Sequence, residues 1–129
     1  MSQLTALIID DNKHNRDVLA LLLEREGVLS VQCQSATQIS QALDSGEHFD
    51  VVFLDLEMPN IDGYTVLRAI KADPNFQYVP VIAYTVHLSE ISTVRDYGFD
   101  GFLGKPLDPD RFPDQLARIM RGEQVWSTN

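Results

Sequence analysis

Short continuous apolar runs alternate along this chain with segments of helical periodicity, and this alternation restricts the possible folds more than any other feature. Three runs, at 6–9, 51–54 and 79–84, are unbroken, as in strands that are covered on both faces. The segments 29–33 and 102–103 are weaker candidates for two further strands. Because a helical stripe follows each run, the pattern predicts βα repeated five times. This order indicates a parallel sheet with right-handed crossovers and helices on both faces.

The five predicted helices are bounded by residues that commonly start or stop helices. The third is expected to open at Asp62-Gly63 and to stop before Pro74, and the fifth to begin at Asp108-Pro109. Three glycines are expected to end the first, second and fourth helices: Gly27, Gly46 and Gly98. The apolar stripes predicted to face the sheet are Val18, Leu19, Leu22 and Leu23; Ile39, Ala42 and Leu43; Val66, Leu67 and Ile70; Leu88, Ile91 and Tyr97; and Phe112, Leu116, Ile119 and Met120.

The composition limits the partners of such a domain. The chain has 129 residues, with 10 Lys and Arg against 19 Asp and Glu, and a net charge of −9. This balance argues against binding to nucleic-acid phosphates or to an anionic membrane. No apolar run approaches the ~20 residues of a membrane span, and Cys33 is the only cysteine. We expect a soluble, cytoplasmic domain over residues 1–121, followed by a short tail over 122–129 that contains Trp126.

Polar residues stand at the ends of the predicted strands. Asp10 and Asp11 follow the first strand and Asp55 the third, while Thr85 follows the fourth and Lys105 the fifth. In an open α/β sheet, ligands bind outside the carboxyl ends of the strands. A single aspartate there is often only a helix N-cap, but two charges ~4 Å apart repel by roughly 1 to 4 kcal/mol. Three such carboxylates therefore favour a bound cation, and their all-oxygen ligation indicates Mg²⁺ or Mn²⁺.

The same group of residues suits phosphoryl transfer. A screened carboxylate such as Asp55 can attack phosphorus and form an aspartyl phosphate. Lys105 would neutralise charge on the phosphoryl oxygens, and the Thr85 hydroxyl would supply a hydrogen bond. The lysine would also favour the ionised form of Asp55.

These residues lie in motifs that resemble the receiver domain of two-component response regulators, over about residues 4–120. The motifs are Ile8-Ile9-Asp10-Asp11-Asn12, Phe53-Leu54-Asp55, Met58-Pro59 with Asp62-Gly63, Ala83-Tyr84-Thr85 and Gly104-Lys105-Pro106. The resemblance implies a flavodoxin-like three-layer (βα)5 fold with a five-stranded parallel sheet in the order 2-1-3-4-5. It also implies a cis peptide bond between Lys105 and Pro106.

The resemblance further implies a role for each site residue. Asp55 would accept a phosphoryl group from a sensor histidine kinase or a histidine phosphotransfer protein. Asp11 and Asp55 would ligate Mg²⁺ directly and Asp10 through water, with the backbone carbonyl of Glu57 as a further ligand.

Thr85 and Phe102 match the switch pair of the family. On phosphorylation the hydroxyl would move towards the phosphoryl group and the aromatic ring would turn inward. The surface around the fourth helix, the fifth strand and the fifth helix would then change.

Three residues near the predicted site are expected to affect its reactivity. Val86 stands where many receivers carry a smaller residue, so its bulk is expected to narrow access to Asp55 and to slow phosphotransfer from small donors. Glu57 and His87 occupy positions that tune hydrolysis of the aspartyl phosphate in the family. Solvated side chains without such a role are the alternative for both.

The predicted function is that of a single-domain response regulator, a signalling switch rather than an enzyme, with no space for an output domain. Its output would be a contact with a protein effector, made by a monomer or a phosphorylation-linked dimer. A receiver excised from a longer protein is also possible. One alternative is a Mg²⁺-dependent phosphohydrolase with Asp55 as nucleophile, although Glu57 stands where such enzymes commonly carry a second aspartate. The other is a receiver-like interaction module that works without phosphorylation.

Overall fold

The chain forms a six-stranded parallel sheet flanked by five helices, within residues 3–127, which are those that the computed structural model describes. The strands are β1 (Thr5–Ile9), β2 (Leu29–Cys33), β3 (Val51–Asp55), β4 (Val81–Thr85), β5 (Gly101–Gly104) and β6 (Trp126–Ser127). The helices are α1 (Lys13–Arg25), α2 (Ala36–Asp44), α3 (Gly63–Ala72), α4 (Ile91–Asp96) and α5 (Phe112–Met120). Two single-turn 3-10 helices lie at Pro74–Phe76 and Leu88–Glu90.

The strand order is β2-β1-β3-β4-β5-β6, and every neighbouring pair is parallel. The flavodoxin-like class and the order of the first five strands are confirmed. The predicted number of strands is wrong, because β6 adds a sixth beside β5. The Phe102 N–H donates to the carbonyl of Val125 at 2.7 Å, and Phe102 is in register with Trp126. A strand of two residues has no alternation to detect, so the sequence indicated only a tail there.

The two faces of the sheet are covered by different helices. On one face, apolar residues of α1 and α5 pack against Ile8 and Phe53. On the other, residues of α2, α3 and α4 pack against Leu7 and Leu54. Every residue of β3 and β4 is buried, and this explains why the sequence of these central strands is a nearly continuous apolar run.

Most helix boundaries follow from local capping. The Asp62 carboxylate accepts from the N–H of Tyr64 at the start of α3, and Gly27 and Gly98 follow their helices with φ of 76° and 100°. The predicted start of α5 at Asp108-Pro109 is wrong. Residues 108–111 form a turn in which the Asp108 carbonyl accepts from the N–H of Phe112, and the helix begins at Phe112.

Two residues of the predicted stripes are largely exposed. Val18 is 39% exposed because it lies about 100° around α1 from its buried neighbour Leu19. Tyr97 follows the end of the short α4 and is 55% exposed, with its ring 4.4 Å from that of Tyr64. Within residues 3–127, no helix combines the length and the apolar character needed to span a membrane.

The predicted ranges extend beyond the described residues at both ends. Residues 1 and 2 of the predicted domain, and 128 and 129 of the predicted tail, lie outside them. Within the rest of that tail, Val125 is buried and Trp126 is half-buried against the sheet.

Candidate functional site

The carboxyl ends of β1 and β3 bring three carboxylates together. Asp10 and Asp11 directly follow β1, and Asp55 is the last residue of β3. Each offers a carboxylate oxygen, and these oxygens all lie within 4.8 Å of one another. Asp10 and Asp55 are buried, with exposed fractions of 0% and 2%, whereas Asp11 is exposed. The predicted acidic cluster is therefore present in the structure.

Lys105 supplies the positive charge of the site. It follows β5, and its ammonium Nζ lies 2.9 Å from Asp55 Oδ1 and 3.3 Å from Asp10 Oδ2. The Lys105-Pro106 peptide bond is cis, as the resemblance implied. One largely buried ammonium thus faces two buried carboxylates.

The electrostatic balance at Asp55 differs from the expectation drawn from Lys105 alone. Burial is the largest influence and raises the pKa of Asp55 above its ordinary value, and the neighbouring Glu57 raises it further. Lys105 lowers the pKa of Asp55, but by less than the other two effects together. A single lysine does not balance this group of carboxylates.

The donor set fits a hard divalent cation. All three side chains of the cluster offer oxygen, the ligand type that Mg²⁺ and Mn²⁺ prefer. Two of them are buried beside each other, so a cation between them would offset repulsion that Lys105 leaves.

Two further residues position Asp10, and sequence reasoning assigned neither of them a role. The hydroxyl of the buried Tyr84 donates to Asp10 Oδ2 at 2.6 Å, and burial with the adjacent carboxylate raises the pKa of Tyr84. Arg16 of α1 donates from Nη1 to the Asp10 carbonyl at 3.0 Å. Asp10 Oδ1 accepts from the N–H of Asn12 at 2.9 Å. A tyrosine within an apolar strand looks like a core residue, so its hydroxyl contact had no sequence signal beyond the strand-end position.

Glu57 enters the site beside Thr85, the last residue of β4. Its Oε1 accepts hydrogen bonds from the Thr85 hydroxyl and, at 2.9 Å, from the N–H of Val86. Its Oε2 lies 3.9 Å from Lys105 Nζ. His87 Nε2 is 3.9 Å from Glu57 Oε1, but the His87 side chain is 60% exposed. Two residues were expected to tune hydrolysis of the aspartyl phosphate. Glu57 makes hydrogen bonds within the site, whereas His87 lies at its rim.

Phe102 is fully buried in the middle of β5. It pairs with Ala83 of β4 on one side and with Trp126 of β6 on the other. The inward ring position that the resemblance implied for the phosphorylated state is therefore already present here.

Comparison with known families and sequences finds similarity to response regulators and to sensor kinases. The sequence profile of the response regulator receiver domain matches residues 6–117. The chain is 30% identical over 128 residues to the response regulator Rre1 of Synechocystis, covering 96% of this chain and 54% of that protein. It is 32% identical over 114 residues to the CAI-1 autoinducer sensor kinase/phosphatase CqsS of Vibrio cholerae, covering 86% of this chain and 16% of that protein. The chain thus spans only part of each of these curated relatives.

A solved structure provides the corresponding comparison of folds. The receiver domain of the sensor histidine kinase PA1611 of Pseudomonas aeruginosa superimposes with a TM-score of 0.74 at 25% identity. The match covers 93% of this chain and 96% of that domain, which was solved with a magnesium ion coordinated in its active site cleft.

Proposed function

The chain belongs to the response regulator receiver domain family, and from this premise we propose that Asp55 accepts a phosphoryl group from a phosphohistidine. The donor would be a sensor histidine kinase or a histidine phosphotransfer protein. The observation that carries the proposal is the convergence of the buried Asp55 with Lys105, whose Nζ lies 2.9 Å from Asp55 Oδ1.

The hydrogen bonds of Asp55 distinguish its two oxygens. Lys105 Nζ and, at 3.1 Å, the N–H of Glu57 both bond to Oδ1. We therefore assign Oδ2 as the nucleophile. In the transfer step a bond forms between Oδ2 and phosphorus, the bond from phosphorus to the imidazole nitrogen breaks, and its electron pair returns to that nitrogen. Lys105, the Thr85 hydroxyl and the N–H of Val86 are the donors available to the phosphoryl oxygens.

Asp11 and Asp55 would hold Mg²⁺ or Mn²⁺ directly, Asp10 through water, and the backbone carbonyl of Glu57 would be a further ligand. When bound, the cation would neutralise charge on the phosphoryl oxygens. The oxygen-only donor set and the magnesium ion of the similar PA1611 receiver support this assignment.

The signal would leave through a protein contact. We propose Thr85 and Phe102 as the switch pair, and the surface of α4, β5 and α5 as the region that a protein effector reads. In this chain β6 lies along the same surface, where Arg95 of α4 is 4.6 Å from the ring of Trp126. The family match over 6–117 does not favour a phosphohydrolase or a phosphorylation-independent module.

The test is incubation with acetyl phosphate and Mg²⁺, read by intact mass. The expected result is one added phosphoryl group, lost in Asp55→Asn and prevented by a chelator. Asp17→Asn is the matched control, because it removes an exposed carboxylate outside the cluster. Repeated turnover of a phosphate ester would support the phosphohydrolase instead. The proposal would be contradicted if no adduct formed either with acetyl phosphate or with a phosphorylated histidine kinase or phosphotransfer protein.

A further inference from the structure

The carboxylate of Glu57 lies inside the cleft that opens above Asp55. Glu57, Val86 and Lys105 line this cleft together with the acidic cluster. Glu57 Oε1 accepts from both the Thr85 hydroxyl and the N–H of Val86. The side chain is only 25% exposed, so its position is determined by these contacts more than by solvent.

The two donors that Glu57 engages are among those that the proposed function assigns to the phosphoryl oxygens. Its second oxygen, Oε2, lies 3.9 Å from Lys105 Nζ, the third such donor. A carboxylate and a phosphoryl group both present anionic oxygens, so they would compete for the same hydroxyl, amide and ammonium.

We propose that Glu57 is an internal anion that occupies the phosphoryl-oxygen site of the resting protein and must leave before Asp55 can be phosphorylated. This inference rests on the proposed function, since it concerns the same site. Glu57 would therefore set the rate of phosphorylation through displacement of its side chain, in addition to any effect on hydrolysis of the aspartyl phosphate.

The contacts of Glu57 are compatible with its displacement. Among residues 3–127, its buried Oε2 has no hydrogen-bond partner, and an unsatisfied buried acceptor costs free energy. The carboxylate also lies beside Asp55, and two like charges repel. An outward rotation would give Oε2 water as a donor, and would free the Thr85 hydroxyl and the Val86 N–H in one movement.

Two variants of Glu57 separate the effect of occupying the phosphoryl-oxygen site from the effect of the negative charge. Glu57→Ala empties the position, and Glu57→Gln removes the charge while keeping an oxygen that can accept from both donors. Glu90→Gln is the control, because it removes a carboxylate from the 3-10 turn that follows β4. Each protein is phosphorylated with acetyl phosphate and Mg²⁺ and followed by intact mass. The amide resonance of Val86 is recorded separately by NMR, before any phosphodonor is added.

We expect wild type to be phosphorylated most slowly, Glu57→Gln faster, and Glu57→Ala fastest, at about ten times the wild-type rate. Glu90→Gln should match wild type. The Val86 amide resonance should move in Glu57→Ala and stay in place in the control.

Two results would overturn the inference while leaving the proposed function intact. These are phosphorylation of Asp55 at the wild-type rate or slower in Glu57→Ala, and equal acceleration in Glu57→Ala and Glu57→Gln, which would show that charge alone matters. Failure of every variant and of wild type to form an adduct would instead remove the proposed function, and the inference with it.

Discussion

At Asp10, both carboxylate oxygens are already engaged by protein groups. Oδ1 accepts from the N–H of Asn12, and Oδ2 accepts from Tyr84 and lies 3.3 Å from Lys105 Nζ. A fully buried carboxylate needs such donors, because removal from water disfavours its charged form. These contacts favour the indirect, water-mediated metal contact that we propose for Asp10.

Tyr84→Phe tests this arrangement at a single atom. The variant retains the ring, which lies 4.3 Å below Lys105 Nζ, and removes only the hydroxyl that donates to Asp10. We expect the free energy of unfolding to fall by ~1–3 kcal/mol, since a buried acceptor loses a donor. Urea unfolding measures the change. Tyr78→Phe is the control, because Tyr78 is 89% exposed, and an equal loss in both variants would contradict the explanation.

Val86→Ala tests access to Asp55. Val86 lines the cleft and is 56% exposed, so truncation of its side chain should change stability little. The amide that bonds to Glu57 is retained. We expect phosphorylation by acetyl phosphate to become several-fold faster, because the smaller side chain widens the entrance to the cleft. The rate is measured by intact mass against wild type, and an unchanged rate would show that Val86 does not restrict small donors.

At the scale of elements, the strand ends were predictable and several contacts around them were not. The apolar runs and their order place Asp10, Asp55 and Lys105 at one edge of a parallel sheet, whatever the helices do in detail. The pairing of Tyr84 with Asp10 depends on the strand order, because the contact reaches across β3, which lies between β1 and β4. The position of Glu57 depends on the loop after β3, and no periodicity describes a loop.

The sixth strand was missed for a related reason. Its stability comes from partners distant in the sequence: the N–H of Phe102, the ring contact of Arg95 and the buried hydrogen bond from Gln115 to Ser127. None of these is visible in the local pattern of residues 122–127, so the segment resembled a tail.

Gly101→Ala tests the packing of β6 against β5. A Cβ at this position would lie 2.8 Å from the carbonyl oxygen of Val125 and 2.9 Å from Cδ1 of Ile82. We expect a loss of ~1–3 kcal/mol in urea unfolding, because backbone has to shift. The fluorescence of Trp126, the only tryptophan, should also change as β6 moves.

The control for this variant is the same substitution in an Ile82→Val background, which removes the Cδ1 atom from the crowded position. Most of the cost should remain there, because the clash with the Val125 carbonyl is unaffected. Complete relief by Ile82→Val would assign the cost to side-chain packing and not to β6.

At the scale of the whole molecule, the sheet gathers negative charge from distant parts of a chain that is already acidic, with a net charge of −9. Folding brings Asp10, Asp11 and Asp55 to one edge, and burial then penalises the ionisation of Asp55. A ligand that binds only the folded state stabilises it by mass action. Mg²⁺ at a concentration 100 times its dissociation constant should therefore increase the free energy of unfolding by about 2.7 kcal/mol. The melting temperature should rise as a result.

The pH dependence of this stabilisation follows from Asp55. Its pKa in the folded protein is raised above the reference value of 3.8, so its contribution to stability is fully present below that value and is lost as pH rises through the folded pKa. The cation offsets this loss, so the Mg²⁺-induced rise in melting temperature should be large at about pH 7.5 and should decrease towards about pH 4, as Asp55 becomes protonated. Thermal unfolding with Mg²⁺ and with chelator measures the difference. Asp11→Asn should abolish it and Asp17→Asn should not, and a Mg²⁺ effect independent of pH or of Asp11 would place the cation elsewhere.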